Sequence, residues 1–531
     1  MTKTYDIHFD ENRELVIKVN ASNYINIYIW KLASMISGFL SVLIVVPHLS
    51  AQQELYGIYT FCMSFVLYLS YADLGFISAG QKFAGEEVAK GNKEKEMGIT
   101  GFSLSLLICL FLPFSFFMFY LSTNTAVLFG GIVNNNITIA SNLLLVMGLL
   151  LPVQVFLQRL VQFVLATRLK DYIHLRVDIV FNLVKIFSVY FFFKEGQYLI
   201  VEYFLFATFI TITGSCIAIY ITSVKIEYSF SQLMKSLRLR TEYFQLSKDL
   251  ALSSFVLTLA FIVYYELDLL IIGWLFSIQD VALYAIGFTF LNFLRNLWNI
   301  LYSPISQRLN HYSVYSSDVE ISRILSKMVE YTLPLYLILA LSLALFAEPL
   351  ILFWVGSEYL SSVGIFQLLM ISMFFGVISR PASYYFIARL KHKFIYAQAL
   401  ASIGVFCTSI FFLKDSFGME SLAIAKLMTA VVLGIIAVKG VFKVIPLYKI
   451  LKKVLIPSIV ATALFYAYLP NMVSNIFPAP YKDTANLVVF LSFLFVLIVF
   501  SYVLIIISND SRRQDIKTAL NYCVKWYKNQ T

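Results

Sequence analysis

Four basic side chains lie inside long apolar runs of the sequence, about two helical turns or more from either end of the run: Arg159, Lys185, Arg295 and Arg380. A charge inside an apolar helix is costly, so such residues usually face a cavity, a partner or an ion pathway. A guanidinium group matches a phosphate through paired hydrogen bonds, and an ammonium group binds it as a point charge. We predict that the four residues bind an anionic substrate, with Arg159 and Arg380 contacting a phosphate.

Three acidic side chains in similar runs are candidates for coupling transport to a proton or another cation. Glu266 and Asp268 are two residues apart, so in a continuous helix they point to different sides and at most one faces a cavity. Asp178 shares a helical face with Lys185, seven residues later. The alternative is structural: these acids neutralise the embedded cations or make polar contacts with neighbouring helices.

The other embedded charges and two prolines have simpler explanations. Lys31, Arg176 and Lys426 lie nearer the ends of their runs, where a long side chain reaches the membrane surface. Pro152 and Pro381 are candidate positions for a helix break, because proline removes a backbone hydrogen bond.

The composition places these runs in a membrane. Of 531 residues, 60% are hydrophobic and 13% are charged, whereas a soluble domain carries about 25% charged residues. The net charge of +10 would suggest a polyanionic partner for a soluble protein. Because a spanning helix needs about 20 apolar residues, we predict an all-α integral membrane protein with about 14 transmembrane helices. Their predicted limits are 24–47, 55–76, 97–121, 137–167, 172–193, 198–224, 249–276, 281–303, 326–353, 360–388, 394–413, 420–438, 454–469 and 484–508.

The distribution of lysine and arginine predicts the orientation. If the N-terminus is cytoplasmic, the inner loops and tails hold most of the 40 basic residues, and the outer loops hold Lys194, Lys414 and Lys482. Basic loops remain in the cytoplasm, so we predict that both termini are cytoplasmic. Residues 1–23 are polar and mixed in charge, unlike a cleavable signal peptide.

A short pattern recurs in the two halves of the chain. Arg159 and Arg168-Leu169-Lys170 return as Arg380 and Arg389-Leu390-Lys391, each with an offset of 221. This offset spans six predicted helices, which indicates parallel repeats and a transporter that works by alternating access. The predicted parts are an N-terminal tail (1–23), a six-helix lobe (24–224), a cytoplasmic linker (225–248), a second six-helix lobe (249–443), helices 13 and 14 (444–508) and a cytoplasmic tail (509–531).

The sequence offers no recognisable catalytic or cofactor motif. The five cysteines form no CxxC pair, and the five histidines are scattered without metal-ligand spacing. We find no GxSxG, HExxH or glycine-rich phosphate loop, so we predict no enzyme activity, no metal and no cofactor. A polytopic glycosyltransferase or polysaccharide polymerase is the competing class, but such enzymes usually need a larger hydrophilic loop than the short outer loops predicted here.

Several short motifs carry a resemblance to a known family: Glu54-Leu-Tyr-Gly-Ile-Tyr59, Asp73-Leu-Gly with Gln81-Lys-Phe-Ala84, Asp268-Leu-Leu-Ile-Ile and Asp280-Val-Ala-Leu-Tyr284. Over residues 20–445 the sequence resembles the Wzx-type flippases for O-antigen, capsule and exopolysaccharide. These proteins belong to the multidrug/oligosaccharidyl-lipid/polysaccharide exporter superfamily. The resemblance implies a MATE-like bundle of two six-helix lobes plus two C-terminal helices, with a cation-lined central cavity.

The resemblance also implies a substrate and a location. The substrate would be an undecaprenyl-diphosphate-linked oligosaccharide, flipped across the bacterial inner membrane during lipopolysaccharide or other surface polysaccharide biosynthesis. The implied partners are this substrate, membrane lipids and the polysaccharide polymerase machinery, with no nucleic acid. An ion-coupled drug or cation exporter and a flippase for the lipid-linked peptidoglycan precursor remain the alternatives within transport.

Overall fold

The computed structural model describes residues 11–71, 75–129, 134–194, 197–315, 318–389 and 391–441, with a few single positions between 448 and 503. The predicted helix 454–469, most of 484–508 and the tail 509–531 lie outside this part of the chain. Throughout the ranges described, the regular structure is helical and contains no strand.

Eighteen α-helices follow one another within these ranges. They are α1 (Glu11–Leu49), α2 (Gln53–Tyr71), α3 (Phe76–Ala89), α4 (Lys93–Thr123), α5 (Ala126–Phe129), α6 (Asn134–Ala166), α7 (Tyr172–Phe192), α8 (Ile200–Ile226), α9 (Phe230–Lys235), α10 (Thr241–Tyr265), α11 (Asp268–Leu275), α12 (Ile278–Tyr315), α13 (Asp318–Leu345), α14 (Ala347–Trp354), α15 (Val363–Phe374), α16 (Gly376–Ala388), α17 (His392–Phe417) and α18 (Glu420–Val441). A short 3-10 helix, Ser357–Ser362, precedes α15.

The helices are those of an all-α, multi-pass membrane protein. Eight helical segments of the described chain are long and apolar enough to cross a membrane, and the bent pair α10 and α11 makes a ninth if it counts as one span. The all-α fold class is therefore confirmed. The number of fourteen helices stays a prediction, as does the orientation of the termini.

Three of the predicted spans are interrupted within the residues that the structure describes. The span 249–276 consists of α10 and α11, which are bent by 51° at Glu266 and Leu267. The span 326–353 divides at Phe346, and the span 360–388 divides at Phe375. Pro381 lies inside α16, after that division, and Pro152 lies inside the continuous helix α6. The prolines therefore do not mark the breaks.

Three short helices, α3, α5 and α9, lie between the predicted spans. The helix α3 covers the polar region after α2, and α9 falls in the predicted linker. The side chain of Ser229 caps α9 by accepting a hydrogen bond from the backbone nitrogen of Gln232 at 3.3 Å. The hydroxyl of Ser236, just after α9, donates to the carbonyl oxygen of Met97 on α4 at 2.9 Å. This part of the linker is thus packed against a helix.

The chain divides into two compact units. Unit 1 comprises Met1–Ala282 and Asn296–Ile300, and unit 2 comprises Leu283–Arg295 and Leu301–Thr531. In unit 1, α6 packs against α2, α4 and α8, α7 packs against α1 and α8, and α10 and α11 pack against α3 and α2. In unit 2, α18 packs against α15, α16 and α17, and α13 packs against α15 and α16. The lobe boundaries inferred from the sequence stay predictions.

The repeated sequence carries the same backbone hydrogen bond in both units. The backbone nitrogen of Lys170 donates to the carbonyl of Leu165 at 3.0 Å, and that of Lys391 donates to the carbonyl of Phe386 at 2.8 Å. Both bonds span five residues and end a helix in the manner of a Schellman turn. Leu169 has a φ of 53° at the turn of unit 1. The short sequence repeat is therefore also a repeat of local structure.

Candidate functional site

Unit 1 holds two of the embedded cations, on the packed helices α6 and α7. Arg159 is half-buried on α6 and Lys185 is half-buried on α7. The ammonium group of Lys185 donates to the hydroxyl of Thr211 on α8 at 3.5 Å. Neither cation is sealed in the protein, so each keeps surface with which to contact a ligand.

Asp178 pairs with a histidine that sequence reasoning set aside. The Nε2 atom of His174 lies 3.1 Å from Oδ2 of Asp178, one turn along α7. Asp178 also interacts electrostatically with Lys185, at longer range. The suggested Asp178–Lys185 neutralisation is therefore only part of the arrangement, because the direct contact of the carboxylate is with imidazole.

The break between α10 and α11 brings two carboxylates into the interior of unit 1. Glu266 is 1% exposed and Asp268 is 0% exposed. The expectation that at most one of them faces a cavity assumed a continuous helix, whereas the helix is broken here; the cavity-facing role stays a prediction. Tyr68 on α2 donates its hydroxyl proton to the carbonyl oxygen of Glu266 at 2.7 Å, which satisfies a backbone group at the break. Asp268 begins α11, where the helix dipole favours a negative charge.

In unit 2, Arg380 lies among aromatic rings from three helices. The ring centroid of Tyr302 on α12 lies 6.4 Å from that of Tyr336 on α13 and 6.2 Å from that of Tyr384 on α16. Arg380 interacts electrostatically with Tyr302 and Tyr384. The Nε atom of Arg380 and the Tyr336 ring both lie next to the position that a Cβ atom would occupy at Gly376. We call Tyr302, Tyr336 and Tyr384 the tyrosine cluster.

Two members of the tyrosine cluster are fixed in the interior of unit 2. Tyr302 and Tyr336 are fully buried, and the hydroxyl of Tyr302 donates to Thr332 at 2.9 Å. Arg380 itself is half-buried. Phenols are neutral near pH 7, so these three neighbours do not cancel the charge of the guanidinium group. A positive group held in this way is suited to binding an anion.

Two further cations are buried in unit 2. Arg295 on α12 is 6% exposed, and Lys426 on α18 is 1% exposed. The ammonium group of Lys426 lies 5.3 Å from the ring centroid of Phe406 and 5.8 Å from that of Phe288. The expectation that Lys426 reaches the membrane surface is wrong, because aromatic rings of α12 and α17 cover its charged end.

A buried ion pair connects three segments of unit 1. Arg168, after α6, places Nη2 2.9 Å from Oε2 of Glu96 on α4. Tyr228, after α8, donates its hydroxyl proton to Oε1 of Glu96 at 3.3 Å, and its ring lies 4.6 Å from the Arg168 guanidinium. Burial and the Glu96 carboxylate raise the pKa of Tyr228, whereas Arg168 lowers it, so the phenol keeps its proton.

Comparison with known proteins gives the fold. The sequence matches no protein-family model and has no match among curated protein sequences. The structure is similar to the lipid II flippase MurJ in an inward closed conformation, with a TM-score of 0.64, 14% identity and coverage of 93% of this chain and 100% of that one. It is also similar to an inward-facing multidrug resistance MATE family transporter of the MOP superfamily, with a TM-score of 0.61, 10% identity and coverage of 78% and 98%. For the eukaryotic MATE transporter AtDTX14 the TM-score is 0.58, the identity 14% and the coverage 80% and 95%.

The chain has the MATE/MurJ fold. This identification confirms the MATE-like architecture inferred from the short motifs, and it agrees with the repeated turn of the two units. Within the MATE/MurJ fold, Arg159 and Lys185 belong to unit 1, and Arg295 and Arg380 belong to unit 2. The binding roles of these four residues stay predictions. In the described ranges, no group of three or more His, Cys, Asp or Glu side chains could hold a metal ion.

Sequence reasoning missed two kinds of residue in the MATE/MurJ fold. His174 follows Asp171 and precedes Asp178 at helical spacing, and this i, i+3, i+7 pattern of titratable residues is a signal that could have identified it. The tyrosine cluster offers no such signal, because its members come from three helices and are embedded in a chain with 34 tyrosines.

Proposed function

We propose that the protein is a membrane transporter that flips an undecaprenyl-diphosphate-linked oligosaccharide across the bacterial inner membrane for surface polysaccharide biosynthesis. The observation that carries this proposal is the position of Arg380. It is a half-buried cation inside a helical unit, supported by neutral phenols and suited to a diphosphate. Arg159 occupies the equivalent position of the sequence repeat and is also half-buried.

The extent of the structural similarity supports a lipid-linked substrate. The similarity to the lipid II flippase covers 93% of this chain, whereas the two MATE transporters cover 78% and 80%. A flippase for the peptidoglycan precursor is therefore the second candidate. Its substrate shares the lipid-linked diphosphate, so the embedded cations suit both substrates equally.

The buried acids support ion coupling within the same transporter. Glu266, Asp268 and Asp178 are the proposed coupling residues, and the first two lie inside unit 1 at a helix break. Carboxylates in such surroundings bind a proton or a cation more readily than in water. The same acids would suit the cationic substrates of a drug exporter, which remains an alternative.

A deletion strain separates these functions. We expect loss of the gene to reduce surface polysaccharide and to cause lipid-linked repeat units to accumulate on the cytoplasmic face of the membrane, as measured by mass spectrometry of extracted lipids. Normal surface polysaccharide would contradict the proposal. Accumulation of the peptidoglycan precursor would instead identify the second candidate, and increased drug sensitivity alone would identify the exporter. The matched control for complementation is Arg176→Ala, which removes an exposed cation that lies over the Trp30 ring.

A further inference from the structure

One face of α7 carries a series of ionisable side chains. Asp171 immediately precedes the helix, and His174, Asp178 and Lys185 follow at intervals of three, four and seven residues. These intervals place them on one side of an α-helix. The series extends for about 20 Å along the axis, at 1.5 Å per residue. It therefore runs from one end of α7 towards its other end.

The arrangement around His174 has two alternative hydrogen-bond patterns. Its side chain is 4% exposed. Its Nε2 atom lies 3.1 Å from Oδ2 of Asp178 and 3.2 Å from Nε2 of Gln162 on α6. A protonated ring nitrogen donates to the carboxylate, whereas a bare ring nitrogen accepts from the amide. One atom cannot do both at once, so the two contacts correspond to Nε2 with its proton and Nε2 without it.

The second ring nitrogen of His174, Nδ1, does not fix the protonation of Nε2. The Nδ1 atom of His174 is buried and has no hydrogen-bond partner among the residues that the structure describes. The tautomer of a histidine is normally fixed by the hydrogen bond that its second nitrogen makes. Without that bond, no partner at Nδ1 fixes which ring nitrogen carries the proton.

The charged and polar groups on the neighbouring helices define the electrostatics. Asp171 interacts with His174 and with Lys31 of α1, and Asp178 interacts with His174 and with Lys185. Two polar groups of the neighbouring helices also contact this series, Gln162 of α6 and Thr211 of α8. When His174 loses its proton, Asp178 therefore keeps one positive neighbour, Lys185.

We propose that His174 and Asp178 form a proton-binding site that couples proton movement to the flipping step. The inference rests on the proposed transport function and adds the coupling ion and its location. A proton from water binds Nε2 of His174, and the imidazolium donates it to Asp178 in a hydrogen bond. On release, the N–H bond breaks, the proton returns to water and Nε2 accepts a hydrogen bond from Gln162.

Protonation changes the energy of burying this helix face. With a proton on His174, the set of His174, Asp178 and Lys185 has one net positive charge, and without it the set is neutral. A net charge inside a membrane protein favours the conformation that gives it more water or a counter-ion. Because α7 packs between α1 and α8, a shift of this equilibrium acts on the packing of unit 1.

The first experiment detects the proton without any transported substrate. Purified full-length protein in vesicles of phosphatidylethanolamine and phosphatidylglycerol is titrated between about pH 5 and pH 8, the range of histidine, and followed by infrared difference spectroscopy. We expect imidazole and carboxylate bands that change together, and we expect both His174→Gln and Asp178→Asn to remove this coupled change. His392→Gln, which alters an exposed histidine on α17, is the matched control. Coupled bands that persist in His174→Gln would overturn the proposal.

The second experiment tests coupling in cells. In the complemented deletion strain, we expect transport of the lipid-linked repeat unit by the wild type to change about tenfold when a protonophore removes the proton gradient. His174→Gln and Asp178→Asn should be at least about tenfold slower and should not respond to the protonophore, at normal membrane abundance, and Asp178→Glu should recover part of the rate. Wild-type transport and response in both variants would overturn the coupling. A deletion strain without any lipid-linked intermediate would refute the proposed function alone, because the infrared titration still decides the proton site.

Discussion

Arg168 and Glu96 form an ion pair, with 2.9 Å between Nη2 and Oε2, although 72 residues separate them in the chain. Glu96 is buried, and the pair joins the start of α4 to the end of α6. Removing one partner of such a pair leaves the other charge buried without an opposite charge beside it. We expect Glu96→Ala to destabilise the protein by about 3 kcal/mol, measured as a lower midpoint of thermal unfolding in detergent.

The pair of Glu87 and Lys90, in which Lys90 is exposed, is the control for this prediction. Their charged atoms are 2.9 Å apart on the surface of α3 and its C-cap, where water screens the charges. Glu87→Ala should leave the unfolding midpoint unchanged within error. Replacing Glu96 and Arg168 together by apolar residues of similar size should recover most of the lost stability. Equal effects of Glu87→Ala and Glu96→Ala would show that the buried pair has no special role.

Arg380 should be required for transport at normal protein level. A guanidinium that donates to a phosphate contributes about 1.5–3 kcal/mol, which corresponds to a tenfold to hundredfold change. We expect Arg380→Ala to slow transport of the lipid-linked unit by about that factor. Arg380→Lys should retain part of the rate, since it keeps the charge and loses the paired geometry. Arg176→Ala is the control, and full transport by Arg380→Ala would refute the assigned role.

Gly101 should tolerate no side chain. A Cβ atom at this position of α4 would collide with the backbone oxygen of Ser236, in the segment after α9. We expect Gly101→Ala to cost about 1–3 kcal/mol through overpacking. Gly404→Ala on α17 is the matched control, since a Cβ there meets nothing within 4 Å. It should stabilise the helix by up to about 1 kcal/mol, and the two unfolding midpoints should move in opposite directions.

The two ends of α4 provide a test of the orientation. The helix has 31 residues, about 46 Å at 1.5 Å per residue, so both ends extend beyond a hydrocarbon core of about 30 Å. In a cysteine-free background, Thr123→Cys should react with an impermeant maleimide in intact cells. Lys93→Cys should react only after permeabilisation. The opposite pattern would reverse the predicted topology.

The sequence predicted those features that depend on composition averaged over long segments or on the spacing of neighbouring residues. Apolar composition indicated the all-α membrane fold, and the Arg-Leu-Lys repeat corresponds to a repeated turn. The bend at Glu266 could not be predicted, because the sequence Tyr265-Glu266-Leu267 contains neither glycine nor proline. It depends on tertiary contacts, among them the hydrogen bond from Tyr68 to the Glu266 carbonyl. A contact between residues 198 positions apart has no local signal.

The candidate site shows the same limit. The embedded cations were identified from their apolar surroundings, but their neighbours come from other helices. Lys426 was misjudged because depth in a run says nothing about which rings cover the side chain. Arg380 was identified from its position in an apolar run, whereas its electrostatic interaction with Tyr302 and Tyr384 depends on how α12 and α16 pack.

The packing of α9 against α4 determines where the chain can be lengthened. The Ser236 hydroxyl contacts Met97, and α10 begins five residues later at Thr241. An epitope tag inserted between Ser236 and Thr241 would lengthen a segment whose two flanking helices, α9 and α10, both pack against α4. The exposed turn at Gly91 is the better position, because nothing lies within 4 Å of a Cβ atom there. Gly91 also belongs to neither flanking helix, since α3 ends before it and α4 begins after it.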